Sequence, residues 1–160
     1  MRIEAKLQEL GLVLPEAMQA PGAPRLPFAP VRMRGNRAYL SGAGPLAPDG
    51  SLAEPLGKVG AEVTLEEGYQ AARLVALAHL ASLKRALGYL DRVTAWLRAF
   101  GMVNVAPGFV QPPAVINGYS DLILDLYGPE IGAHARSAVG LAELPFRIPV
   151  EIEAEVEIDG

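Results

Sequence analysis

Residues 150–158 read Val-Glu-Ile-Glu-Ala-Glu-Val-Glu-Ile, an unbroken alternation of apolar and acidic side chains. A period of two over nine residues fits a strand with one dry and one wet face, since successive side chains point to opposite sides. It rules out a helix there, and it commits the chain to a sheet with one face covered. Four glutamates stacked on the other face repel one another, so they must be solvated or paired with arginines.

What can cover the dry face is written further upstream. Thr64-Leu65-Glu66-Glu67 matches a capping box, with Thr64 as N-cap and Glu67 at the third helical position. The helix it opens is expected to run to Leu87 and stop at Gly88. Pro112 and Pro113 precede a second helix, expected over 114–127 and ended by Gly128-Pro129. Arg34-Gly35-Asn36-Arg37 has the composition of a tight turn joining strands near 29–34 and 37–42. Residues 43–60, rich in Gly, Pro and Asp, read as a loop. Residues 92–103 alternate into a strand with Val93, Ala95, Leu97 and Ala99 on one face. Another strand follows at 135–142, and Leu144-Pro145-Phe146 turns the chain into the last one, 149–158. The order ββ-α-β-α-ββ predicts an α+β domain with two helices on one face of the sheet. Trp96 and Tyr119 are expected in its core or at an interface.

Ahead of this unit, residues 2–11 form an amphipathic pattern with Ile3, Leu7 and Leu10 on one face and Gly11 as a stop. Prolines at 15, 21, 24, 27 and 30 keep the next segment from regular structure, so 15–30 is expected to run extended over the surface. Ten residues before it cannot form a domain. The chain is therefore read as one domain, 1–160, with 1–26 as an N-terminal extension.

Composition removes several function classes. With 51% hydrophobic and 20% charged residues over 160 positions, the chain can bury a core and stay soluble. A net charge of −4 disfavours a general nucleic-acid binder. The absence of cysteine excludes disulfides, thiolate metal sites and cysteine catalysis. His79 and His134 sit in no metal-binding spacing, so both read as ordinary helix or loop histidines and no metal is expected. No apolar run is long enough to span a bilayer, and Met-Arg-Ile-Glu-Ala-Lys lacks a signal peptide's apolar segment. The cytoplasm is the expected address, with no membrane partner.

The chemistry gathers on the strand 135–142. Arg136, Ala138, Gly140 and Ala142 point one way, and Ser137, Val139 and Leu141 the other. A guanidinium beside three small side chains leaves an indentation, and its planar fork suits a carboxylate. An unpaired buried arginine is costly, so a salt bridge to Glu151 or Glu153 of the last strand is the competing structural explanation. Glu155 and Glu157 read as a solvated face, whereas Glu151, near the turn, is a candidate to orient a water as general base. Ser41 lacks the G-x-S-x-G surroundings of a nucleophile elbow.

The run His134-Ala135-Arg136-Ser137-Ala138-Val139-Gly140-Leu141-Ala142-Glu143-Leu144-Pro145, followed by Val150-Glu151-Ile152-Glu153-Ala154, resembles the C-terminal signature of the YjgF/RidA family. These are the reactive intermediate imine/enamine deaminases, also called endoribonuclease L-PSP-like. Gly35-Asn36 with Tyr39-Leu40-Ser41-Gly42 resembles the family's N-terminal hairpin, and Val115-Ile116-Asn117 the start of its second helix. The resemblance spans residues 27–157 in the right order.

It implies a chorismate-mutase-like α+β fold with a mixed sheet, assembled as a homotrimer with ligand clefts between subunits. It also implies hydrolysis of small enamines or imines of the 2-aminoacrylate type to 2-keto acids and ammonia, with no cofactor. Position by position, Arg136 matches the arginine that grips the substrate carboxylate and Glu151 the glutamate beside the attacking water. Ser41, Gly42 and Asn117 match cleft-lining positions. Phe28 stands where active deaminases usually carry tyrosine, and Ala138 where many carry cysteine. Two extra residues between Asn117 and Arg136, with the helix 2–11, mark a divergent branch. The alternatives are a non-catalytic binder or sensor of small carboxylates, and a ribonuclease or translation inhibitor drawing on Arg32, Arg34 and Arg37.

Overall fold

The strand 150–158 lies at the centre of a five-stranded sheet. The computed structural model describes residues 1–19 and 26–160, so Pro21 and Pro24 of the proline-rich stretch lie outside the described residues. Its strands are β1 (Val31–Arg34), β2 (Arg37–Ala43), β3 (Val93–Asn104), β4 (Ala135–Leu141) and β5 (Val150–Ile158), and its helices α1 (Arg2–Glu9), α2 (Leu65–Leu87) and α3 (Pro112–Ile131). Across the sheet the order is β1-β2-β5-β3-β4. The β3–β4 pair is parallel, with α3 as its crossover, and the other pairs are antiparallel. The sheet is therefore mixed, as the family resemblance implies, and the domain is α+β, as the alternation and the helix signals predict.

Each element follows from its local chemistry. Gly35 takes φ +60 in the two-residue turn, where Arg34 pairs Arg37. The Thr64 hydroxyl accepts from the Glu67 amide at 3.1 Å and the Glu67 carboxylate accepts from the Thr64 amide at 3.0 Å, closing the capping box. Gly88 ends α2 with φ 92. α2 and α3 then lie together on the dry face. Their close approach depends on Gly118, where an added Cβ would collide with the Tyr69 carbonyl oxygen. Val150, Ile152, Ala154, Val156 and Ile158 are buried beneath them with Trp96 and Tyr119, whose rings meet edge to face at 6.2 Å.

Three expectations need correction. β3 buries Val93, Trp96, Ala99 and Val103 rather than Val93, Ala95, Leu97 and Ala99. Register shifts between Val93 and Ala95 and between Trp96 and Arg98 change which side chains face inward, and no period-two count anticipates them. Pro112 and Pro113 occupy the first turn of α3 instead of preceding it, because the first amides of a helix need no intrahelical partner. The third correction is that β3 lies between β4 and β5, so the strand carrying Arg136 has no glutamate strand beside it.

α1 packs at the end of the helical layer. The Asp91 carboxylate accepts from the Arg2 and Ile3 amides at 2.6 and 3.0 Å, capping its start, while Ile3 and Leu7 are buried. Residues 12–19 carry no helix or strand and run beside the 43–60 loop, with the Glu16 amide bonded to the Pro48 carbonyl.

Candidate functional site

On the open face of β5, three of the four glutamates find partners. Glu153 lies 4.0 Å from Arg98 and Glu155 3.8 Å from Arg37, and Glu157 accepts from the Thr94 hydroxyl at 2.7 Å. Glu151 has neither hydrogen bond nor ion pair among the described residues. It is half-buried over Gly42, whose missing side chain leaves the room, since a Cβ there would collide with the carboxylate. Burial raises the Glu151 pKa above the ordinary glutamate value, and the neighbouring Glu153 charge adds to it.

Arg136 stands on the other face. Its register runs through Ala99 of β3 to buried Ala154 of β5, which places it on the helix side. Glu151 pairs Met102, three positions along and two strands away. The two backbones are thus roughly 14 Å apart, with the sheet between their side chains. One chain cannot bring both onto a molecule the size of an amino acid.

No glutamate closes Arg136. Its guanidinium donates to the Ser120 hydroxyl at 3.0 Å and to the Pro113 carbonyl at 3.3 Å, and it forms no ion pair among the described residues. This overturns the salt bridge to Glu151 or Glu153. With two neutral acceptors in place, several of its five N–H donors remain for a ligand. They face a groove of about 350 Å³ lined by Asn117, Ser120, Asp121, Leu124, Ala133, His134 and Arg136. The small residues of β4 do not form it. Ala138 is half-buried and packed on the core, and a Cβ on Gly140 would press into Val105.

Phe28, Ser41 and Gly42 line a second pocket of about 140 Å³, with Pro30, Met18 and Arg85. The Ser41 hydroxyl donates to the Ala29 carbonyl at 2.7 Å. At its back sits a residue that sequence reasoning passed over as ordinary, His79. It is buried, and burial holds its pKa down at about 4, so the ring is neutral. Nε2–H donates to the Ser41 carbonyl at 3.0 Å, and Nδ1 accepts from the Tyr119 hydroxyl at 2.8 Å. No spacing in the sequence marks this triple, because Ser41, His79 and Tyr119 come from a strand and two separate helices.

The candidate residues therefore fall into three places: Arg136 with Asn117, Phe28 with Ser41 and Gly42, and Glu151 beside Gly42 on the open face. Arg32, Arg34 and Arg37 are exposed around their turn. Among the described residues no group of three or more His, Asp or Glu could hold a metal ion, and no helix is long and apolar enough to cross a membrane.

Comparison with known proteins gives this geometry a setting. Residues 4–148 match the family described as "YjgF/chorismate_mutase-like, putative endoribonuclease"; the match ends just before Glu151. Protein TCP17 of Trypanosoma cruzi is 40% identical over 158 residues, covering 99% of this chain and 95% of that protein. The crystal structure of Atu1372 from Agrobacterium tumefaciens, described as of unknown function, is 40% identical with a TM-score of 0.86, covering 99% of this chain and 93% of that one. The YjgF gene product of E. coli shares the fold at 21% identity and a TM-score of 0.60, covering 91% of this chain and 97% of that one. The chain belongs to the YjgF/chorismate mutase-like family, in a branch divergent from the E. coli protein.

Proposed function

We propose that this YjgF-family member hydrolyses small reactive enamines or imines of the 2-aminoacrylate type to 2-keto acids and ammonia. The observation that carries the reading is Arg136, a guanidinium held only by neutral acceptors at the wall of an open groove. A cation left with spare donors beside solvent is suited to a carboxylate, which it would bind through charge-assisted hydrogen bonds.

The chemistry asks little beyond that grip. The enamine takes a proton at carbon to become an imine, whose carbon is electrophilic. Water adds to give a carbinolamine, which expels ammonia and leaves the ketone. Positioning the carbonyl-like carbon and one water is most of the work, and no cofactor is required. Glu151 is suited to hold that water, because its raised pKa brings the carboxylate nearer to the working pH of a general base.

Since Arg136 and Glu151 lie on opposite faces of the sheet, a complete site takes them from two copies of the chain. A homotrimer with clefts between subunits supplies such an arrangement, with Phe28, Ser41, Gly42 and Asn117 along the walls and Ala138 behind Arg136. Phe28 contributes no hydroxyl, so binding relies the more on Arg136. The test is to generate 2-aminoacrylate enzymatically and follow keto acid release with and without the purified protein. The expected result is release faster than in buffer. A rate equal to buffer, with saturable 2-keto acid binding that Arg136→Ala abolishes, would instead identify a non-catalytic carboxylate sensor.

A further inference from the structure

Behind Arg136 the hydrogen bonds continue inward with a fixed direction. The Ser120 oxygen lies 2.9 Å from His134 Nε2, and His134 Nδ1 lies 2.8 Å from the Gly132 carbonyl oxygen. A carbonyl only accepts, so Nδ1 must carry the ring proton and donate it. With the ring neutral, Nε2 is a bare acceptor and the Ser120 hydroxyl donates to it. That leaves the Ser120 lone pairs aimed at the guanidinium, which donates into them at 3.0 Å. Ser120 is almost fully buried on α3, His134 is half-buried, and its ring meets the edge of Tyr119 at 6.4 Å. Pro113 holds a second guanidinium nitrogen from the first turn of α3.

We infer that Ser120 and His134 are positioning residues that hold the Arg136 guanidinium in its ligand-ready orientation, making the groove a preformed carboxylate receptor. This rests on the carboxylate-binding reading of Arg136 given above. A free arginine side chain samples many rotamers and loses that freedom on binding an anion. Here two acceptors, one locked by a histidine, have already selected the rotamer. Less ordering is then left for the ligand to impose, and affinity rises accordingly. Nothing in the spacing of residues 120, 134 and 136 shows this, because the triad is assembled across the α3–β4 connection.

Calorimetric titration with pyruvate, the smallest 2-keto acid, reads the effect on the intact protein. Wild type should bind saturably and Arg136→Ala should not. Ser120→Ala and His134→Leu should each weaken binding about tenfold while their melting temperatures stay near wild type. His134→Gln, whose amide oxygen can still accept from Ser120, should recover most of the affinity that His134→Leu loses, which a merely structural role would not produce. If Arg136→Ala abolishes binding but Ser120→Ala and His134→Leu bind as wild type does, the positioning role is overturned and the clamp stands. If His134→Gln is as weak as His134→Leu, the acceptor role of His134 is overturned. If Arg136→Ala binds as tightly as wild type, or wild type does not bind, the clamp reading itself falls and the positioning role with it.

Discussion

The two histidines of this protein hold their protons on opposite nitrogens, and the contrast separates two kinds of pocket. His79 donates from Nε2 to the Ser41 carbonyl and accepts the Tyr119 hydroxyl at Nδ1, so both ends of its network are groups of the protein itself. His134 donates from Nδ1 to the Gly132 carbonyl, and its network runs outward through Ser120 to a guanidinium facing a groove. The first arrangement is complete without a ligand and fastens β2 to the helices. The second ends on unused donors. A closed network reports on stability and an open one on binding, and the two regions are expected to answer to different measurements.

The largest expected effect is on the closed side. His79 is neutral in the folded protein with a pKa of about 4, against roughly 6.5 once unfolded. Between those values the unfolded chain binds the extra proton, so stability falls as pH drops through that window. The loss should approach roughly 3 kcal/mol by pH 4. Urea unfolding at half-unit steps of pH should show the decline in wild type and a flatter profile in His79→Gln, which starts less stable because it loses buried bonds. An unchanged slope in the variant would mean that His79 is not the group being titrated, and the contrast between the two histidines would lose its basis.

A smaller effect is expected at Glu151, the glutamate of β5 without a partner. Its raised pKa means that the folded state holds the proton more tightly than the unfolded chain, so stability falls as pH rises above the ordinary glutamate range. Glu151→Gln removes that penalty and should be more stable than wild type at pH 8, by less than about 1 kcal/mol because the carboxylate is half in solvent. The advantage should vanish near pH 4. Glu155→Gln, which gives up the contact with Arg37, should show no such gain. Equal behaviour of the two variants would remove the distinction between Glu151 and the rest of its ladder.

How far the sequence alone reaches is shown by the same residues. The alternation of 150–158, the capping box at Thr64 and the Gly35 turn are local patterns, and each is found where its chemistry requires. The arginine at 136 was also legible, as an odd cation on a strand of small residues. What surrounds it was not. The strand that follows β4 in the chain does not pair with it, because the parallel crossover through α3 sets β4 beside β3. That one non-local pairing turns an apparent Arg136–Glu151 neighbourhood into two faces of a sheet. Likewise Trp96 points inward because of bulges in β3, and Ser120 meets His134 only after α3 has turned at Gly128 (φ 80). Period counting assigns faces within an element and carries no information about which elements meet.

In the proposed site Arg136 and Glu151 work on one ligand although no single chain can bring them together, and subunit mixing tests this most directly. Arg136→Ala and Glu151→Gln chains, each refolded alone, should be nearly inactive on 2-aminoacrylate. Refolded together in equal amounts, they should regain activity, since about a quarter of the clefts between copies would then combine an intact arginine with an intact glutamate. A mixture as inactive as its parents, with wild type refolded in parallel fully active, would contradict the shared site.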